Sequence, residues 1–348
     1  GYCTINTSRW LYNESMRSGL FATFTIAMLL PIVAGAQSLG GALGNIGGND
    51  FTLSVSPQYP APYGQATVSL ISASLDLTNA VLTVSVGGKE TYRGAVRAFS
   101  VALGATGSVT NVRVTISSGG ANYSQTISIQ PQDVVLIAEP ISSAPILYPG
   151  KPLVPLDGDV RVVAMANLKD ANGKMSSPTT YSYAWTVDGV QIANSSGIGK
   201  EAIIVASPLQ YRARDVSVAV TNSSGVLIGG ASLSLTALEP SVRIYQNDPL
   251  FGIRFDRALS DSYTIAGAET TLYAAPFSVP TTGGAPLIQW FLNGSTAQDG
   301  VSITLRPSGS GQGNASLSLV ASSGGYTTAT ASISLFFGAK PSTNFFGL

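Results

Sequence analysis

Histidine is absent from this chain of 348 residues, and its single cysteine, Cys3, stands at the extreme N-terminus. Without imidazole there is no Ser-His or Cys-His dyad, and the commonest metal ligand is missing. Charge is scarce as well. Only 10% of residues are Asp, Glu, Lys or Arg, and 18 basic side chains balance 18 acidic ones. Phosphate-backbone binding needs a basic stripe that this composition does not supply, so nucleic acid is not expected as a partner. No helical signal of useful length interrupts the chain after residue 36. Catalysis therefore has little to work with, and the expectation is a protein that is not an enzyme.

What is present points to exported β-structure. Apolar residues make up 45% of the chain, enough for sizeable cores. Ser, Thr, Gly and Asn replace the usual charged residues on the outside, a choice that suits strands and turns better than helices. Met16-Arg17 followed by the uncharged run Leu20 to Val33 and the small-residue site Ala34-Gly35-Ala36 reads as a signal segment over 1–36. The fifteen residues before Met16 read as an over-extended start. At about fourteen residues the apolar run falls short of the ~20 a membrane span requires, so no span is expected in the mature chain. A mature chain without cysteine fits export by a bacterium better than a disulfide-rich eukaryotic secretory route. The expected location is secreted or cell envelope. Residues 37–49, rich in glycine, read as a linker.

Period-2 alternation then runs to the end of the chain. Its clearest segments are Leu82-Thr83-Val84-Ser85-Val86, Tyr183-Ala184-Trp185-Thr186-Val187 and Ile288-Gln289-Trp290-Phe291-Leu292. Each is closed by a tight-turn pair, Gly87-Gly88, Asp188-Gly189 or Asn293-Gly294, suited to a two-residue hairpin. The second glycines, Gly88, Gly189 and Gly294, lie 101 and 105 residues apart. A second alternating strand follows in each copy (Val112 to Ile116, Val216 to Val220, Leu317 to Leu319), then a Ser-Gly turn and a last strand. The repeat predicts an all-β chain of three tandem immunoglobulin-like sandwiches over 50–130, 131–238 and 239–337, with an aromatic tail over 338–348. Trp185, Trp290 and Tyr183 stand in register with aliphatic residues and are assigned to cores.

The stretches Tyr183-Ala184-Trp185-Thr186-Val187-Asp188-Gly189 and Ile288-Gln289-Trp290-Phe291-Leu292-Asn293-Gly294 resemble the Tyr-x-Trp strand and turn of PKD-type and related bacterial immunoglobulin-like surface domains. The first unit departs from the pattern, with Val84 at the Trp position, and the Gly-Asp that follows the Trp strand in PKD domains is missing. The resemblance spans roughly 50–337 and implies a β-sandwich on a cell-surface protein, with no particular ligand.

Few residues offer chemistry. The best cluster of hard oxygen ligands for calcium is Asp157, Asp159 and the loop Asp170-Ala171-Asn172-Gly173, which lacks the dense spacing of an EF-hand; no other cofactor is expected. Loop aromatics, above all Tyr59 and Tyr63, are the candidates for glycan contact, with Tyr148, Tyr211 and Phe251 behind them. Phe345 and Phe346 in the tail are candidates for docking on a partner. The leading functional reading is a non-catalytic structural or adhesive rod, a spacer or scaffold at the bacterial surface that engages a surface protein or glycan. A glycan-binding module protein and a component of an appendage such as a pilus are the alternatives.

Overall fold

The computed structural model describes residues 51–146, 148–308, 312–324 and 327–338. The signal segment, the 37–49 linker, Cys3 and the docking candidates Phe345 and Phe346 lie outside the described residues.

The first sandwich consists of β1 (Thr52–Ser56), β2 (Gln65–Ile71), β3 (Val81–Val86), β4 (Lys89–Ala95), β5 (Phe99–Ala102), β6 (Thr110–Ser118) and β7 (Ala121–Ile129). One sheet runs β1-β2-β5 and the other β4-β3-β6-β7, all antiparallel. Alternation does the sorting. In β3 and β6, Leu82, Val84, Val112, Val114 and Ile116 turn inward and are at most 1% exposed, while Thr and Ser alternate outward. In a constant-type immunoglobulin sandwich the fourth strand joins the first sheet. Here β4 stays hydrogen-bonded to β3, because Gly87-Gly88 connects them with no chain left over to cross. Both glycines have positive φ, 59° and 84°.

The second sandwich repeats the plan with β8 (Asp133–Pro140), β9 (Asp159–Asn167), β10 (Ser182–Val187), β11 (Val190–Gln191), β12 (Gly197–Ile198), β13 (Ala202–Ala206), β14 (Ala213–Thr221) and β15 (Ile228–Thr236). Its sheets are β13-β9-β8 and β11-β10-β14-β15, with β12 also on β10. The third comprises β16 (Ser241–Asp248), β17 (Gly252–Leu259), β18 (Ser262–Ile265), β19 (Thr270–Phe277), β20 (Leu287–Leu292), β21 (Ser295–Asp299), β22 (Ser302–Leu305), β23 (Gly313–Ser323) and β24 (Thr327–Phe337). Two strands are extra. β17 folds back on β16 to widen one sheet, and β18 crosses to the other sheet and pairs in parallel with β24.

The repeated landmarks of the sequence are thus three strands of one sheet. Val84 faces Val114, Trp185 faces Val218 and Trp290 faces Leu319 across equivalent antiparallel pairs. The turns match in their bonds too. The amides of Gly87, Asp188 and Asn293 donate to the carbonyls of Asn111, Asp215 and Ser316 at 2.9, 2.8 and 2.8 Å. Each sandwich buries its own apolar cluster. Helix is confined, among the described residues, to two single 3₁₀ turns, Pro178–Thr180 and Ala193–Ser195.

Candidate functional site: the interdomain joints and the loop aromatics

Trp185 and Trp290 are fully buried and Tyr183 is 4% exposed. Each indole Nε1 donates to a backbone carbonyl at 2.8 Å, Lys200 for Trp185 and Gly300 for Trp290. A buried indole needs that acceptor, and neither ring has a face free for a ligand.

The three carboxylates weighed for calcium do not come together. Asp159 opens β9, whereas Asp170 follows its other end. Eight steps of extended chain at about 3.3 Å each put Asn167, the far end of β9, roughly 26 Å from Asp159, and Asp170 lies three residues beyond that end. The Asp170 Oδ1 instead accepts the amides of Asn172 and Lys174, both at 2.9 Å, and shapes its own loop. Asp157-Gly158 forms a turn against the third sandwich. A Cβ on Gly158 would stand 3.1 Å from Pro280 Cβ. Among the described residues no three His, Cys, Asp or Glu side chains converge on a metal-sized space.

The two tyrosines of the β1–β2 loop are separated by the fold. Tyr63 is 80% exposed, in the left-handed region at φ 58°. Tyr59 turns onto the second sandwich, where its ring packs against Gly230 of β15 so closely that a Cβ there would overlap it. Burial raises the Tyr59 phenol above its ordinary pKa. Tyr59 is therefore half-buried in a joint, whereas Tyr63, the other candidate for glycan contact, stands free at the surface. Of the other loop aromatics, Tyr211 is 93% and Phe251 76% exposed, while Tyr148 lies on the third sandwich.

Both joints are built from specific contacts. Between the first two sandwiches, the Gly107 amide donates to the Pro131 carbonyl at 2.8 Å, while within the first sandwich the Gly107 carbonyl accepts the Gln130 side chain at 2.8 Å. The residue after Pro131, Gln132, is buried and, within the second sandwich, holds the Lys169 backbone that Gly107 packs on, donating to its carbonyl at 2.9 Å and accepting its amide at 2.8 Å. Gly107 has φ 83° and faces the backbone of Lys169 and Asp170, leaving no room for a side chain.

Between the second and third sandwiches the chain forms a single antiparallel β-bridge, Ser142 opposite Pro280, with backbone hydrogen bonds on either side of it. The Ser143 amide donates to Val279 at 2.7 Å, Ser278 donates back to Ser143 at 3.2 Å, and Thr281 donates to Ile141 at 3.1 Å. The Ser143 hydroxyl accepts the Val279 amide at 3.1 Å. Ser278, 1% exposed and at φ 58°, directs its hydroxyl between the carbonyls of Val154 and Leu238 at 3.2 and 3.0 Å. Beside this seam Tyr148 meets Phe277 edge to face with centroids 5.1 Å apart. Sequence reading missed Ser143, Ser278 and Gln132 because lone Ser and Gln residues carry no pattern; only the buried bonds reveal them.

No family model matches the chain, and no curated protein sequence matches it. Solved structures do. The three N-terminal domains of the highly immunogenic outer capsid protein of bacteriophage RB49 match at 12% identity over 84% of this chain and 99% of that one, with a TM-score of 0.23. The central fibronectin-III array of RIM-binding protein matches at 10% identity over 83% and 96%, with a TM-score of 0.29. Fibronectin(III)-like modules of CbhA from Clostridium thermocellum match at 11% identity over 53% and 94%, with a TM-score of 0.22.

Proposed function

We propose that this chain is a non-catalytic structural protein, an exported scaffold or spacer at a bacterial surface that holds three immunoglobulin-like sandwiches at fixed relative angles. One observation carries the reading: the second and third sandwiches are joined by backbone hydrogen bonds through Ser143, Ser278 and Val279 rather than by free linker. Backbone bonds buried in a seam resist bending because opening it leaves donors and acceptors without partners. The lack of histidine and the absence of thiols beyond Cys3 support a role outside catalysis. The leader-like segment, the low charge and the resemblance to bacterial surface domains support export; an adhesive role would use the exposed loops these joints present.

Glu90, Gln191 and Thr296 occupy the same register next to the three hairpin turns and are all exposed. Spin labels at 90 and 191, and at 191 and 296, in a Cys3→Ser background, read each joint separately by electron–electron dipolar spectroscopy. Both pairs should give one narrow distance. Tyr59→Ser with Gln132→Ala should broaden the first and leave the second unchanged. Broad distributions in the otherwise unaltered chain would mean flexible beads and would overturn the proposal.

A further inference from the structure

The outer face of the β13-β9-β8 sheet is apolar. Inward, Val134, Leu136, Val160, Val162 and Ala164 line the second core. Outward, Val135 stands opposite Met165, Ile137 opposite Val163, and Ile204 opposite Arg161. Val135, Met165 and Ile204 are 52%, 60% and 63% exposed. A solvated face of an antiparallel sheet is ordinarily polar, and the matching face of the first sandwich follows that rule with Thr52, Ser54, Thr67 and Ser69, with Ile71 opposite Thr52 its one exposed aliphatic residue among these pairs. The third sandwich also has an apolar outer face, with Tyr245 opposite Tyr273. There the chain supplies a cover: Phe255 packs on both tyrosines at 5.2 and 6.2 Å, and Tyr148 packs on Phe277. The corresponding face of the second sandwich has no such aromatic over it, among the described residues.

A matching projection exists on the same chain. Leu250 and Phe251, at the tip of the β16–β17 hairpin, are 87% and 76% exposed. The tip is held in shape, since the Asp248 carboxylate accepts the amides of Leu250 and Phe251 at 2.8 and 3.0 Å. It cannot reach the apolar face of its own copy. β16 leaves the joint at Ser241 and carries Asp248 roughly 23 Å further along the third sandwich. The two surfaces are also electrically compatible. The Arg161–Glu139 pair borders the face, and Asp248, Arg254 and Asp256 border the tip, so both signs are present on each side and no charge need be buried alone.

We propose that the Leu250–Phe251 tip of one copy docks on the Val135, Ile137, Val163, Met165 and Ile204 face of a second copy. The contact is heterologous, so each copy keeps a free face and a free tip and the association propagates as a filament or closes as a ring. A hairpin tip covers less than the roughly 800 Å² per partner of stable complexes. Association is therefore weak in free solution and grows when copies are tethered side by side. It holds wherever the protein is located.

Sedimentation velocity on the full chain, from low micromolar to millimolar concentration under reducing conditions, tests this. The unaltered chain should sediment faster as concentration rises. A tip variant, Leu250→Ser with Phe251→Ser, and a face variant, Met165→Lys with Ile204→Lys, should each associate at least about 10-fold more weakly. All four positions are exposed, so circular dichroism and melting should match the unaltered chain; Val135→Thr with Met165→Thr serves as a milder face variant. Mixed in equal amounts, the tip and face variants retain one good tip and one good face per pair and should stop at a dimer. An unaltered chain that stays monomeric across the range overturns the proposal. So does either variant associating normally, or a mixture that forms no dimer.

Discussion

Tyr59 shows how a single neighbour decides what an aromatic residue does. Four residues from Tyr63 in the same loop, it is directed onto Gly230, whereas Tyr63 faces solvent. Burial disfavours the phenolate, so the folded pKa lies above the unfolded value near 10. The sign follows from linkage. The unfolded chain releases the proton first, so the stabilisation is complete below pH about 10 and is lost as pH rises through the folded pKa. Denaturation at pH 8 and pH 11 should show the first joint weakening in alkali, and Tyr59→Phe, which has no proton to lose, should show less of that loss. Equal alkaline losses in both proteins would mean that Tyr59 is not the group responsible. The paired indoles of Trp185 and Trp290 make the complementary point. Each is fixed by one carbonyl, whereas Val84, at the same register in the first sandwich, has no donor to satisfy.

Among elements, the β8–β9 connection, residues 141–158, stands apart. It leaves its own sandwich, pairs Ser142 with Pro280 and places Tyr148 on the third sandwich before returning to β9. A loop so long inside a small domain is uncommon and usually functional; here its function is to form the seam. Ser278 closes it with one hydroxyl proton shared between two carbonyls. Ser278→Ala should cost about 0.5–1.5 kcal/mol in chemical denaturation, the net worth of a hydrogen bond, since the Val154 carbonyl keeps the Leu238 amide and Leu238 is half exposed. A change within error would show that backbone bonds alone hold the seam.

At the scale of the whole molecule the two joints differ in kind. The first is packing around Tyr59, Gly107 and Gln132; the second is an isolated β-bridge flanked by backbone hydrogen bonds. Cooperativity should differ accordingly. Calorimetry should resolve two transitions for three sandwiches, with the second and third melting together and the first apart. Three independent transitions would contradict the strength assigned to the seam. Self-association through the third sandwich would add a concentration dependence to the shared transition alone.

The β3, β10 and β20 strands, their partners β6, β14 and β23, and the positive-φ turns were legible because they are local. Alternation places side chains on one face within five residues, and a two-residue turn fixes the next strand. From that followed three all-β units and the core role of Trp185 and Trp290. The uninterrupted apolar runs of β8 and β9 were also visible in the sequence, and they break the alternation that a half-solvated strand requires; their outward face could have been found there. The joints could not. Ser143 and Ser278 are 135 residues apart, and nothing near either serine marks it as half of a seam. Nor could spacing reveal that Asp159 and Asp170 lie at opposite ends of β9, since nearness in sequence becomes distance once the chain is extended. Periodicity determined the sandwiches; only tertiary packing decided how they are joined, because those contacts depend on where separate elements end rather than on any repeat within them.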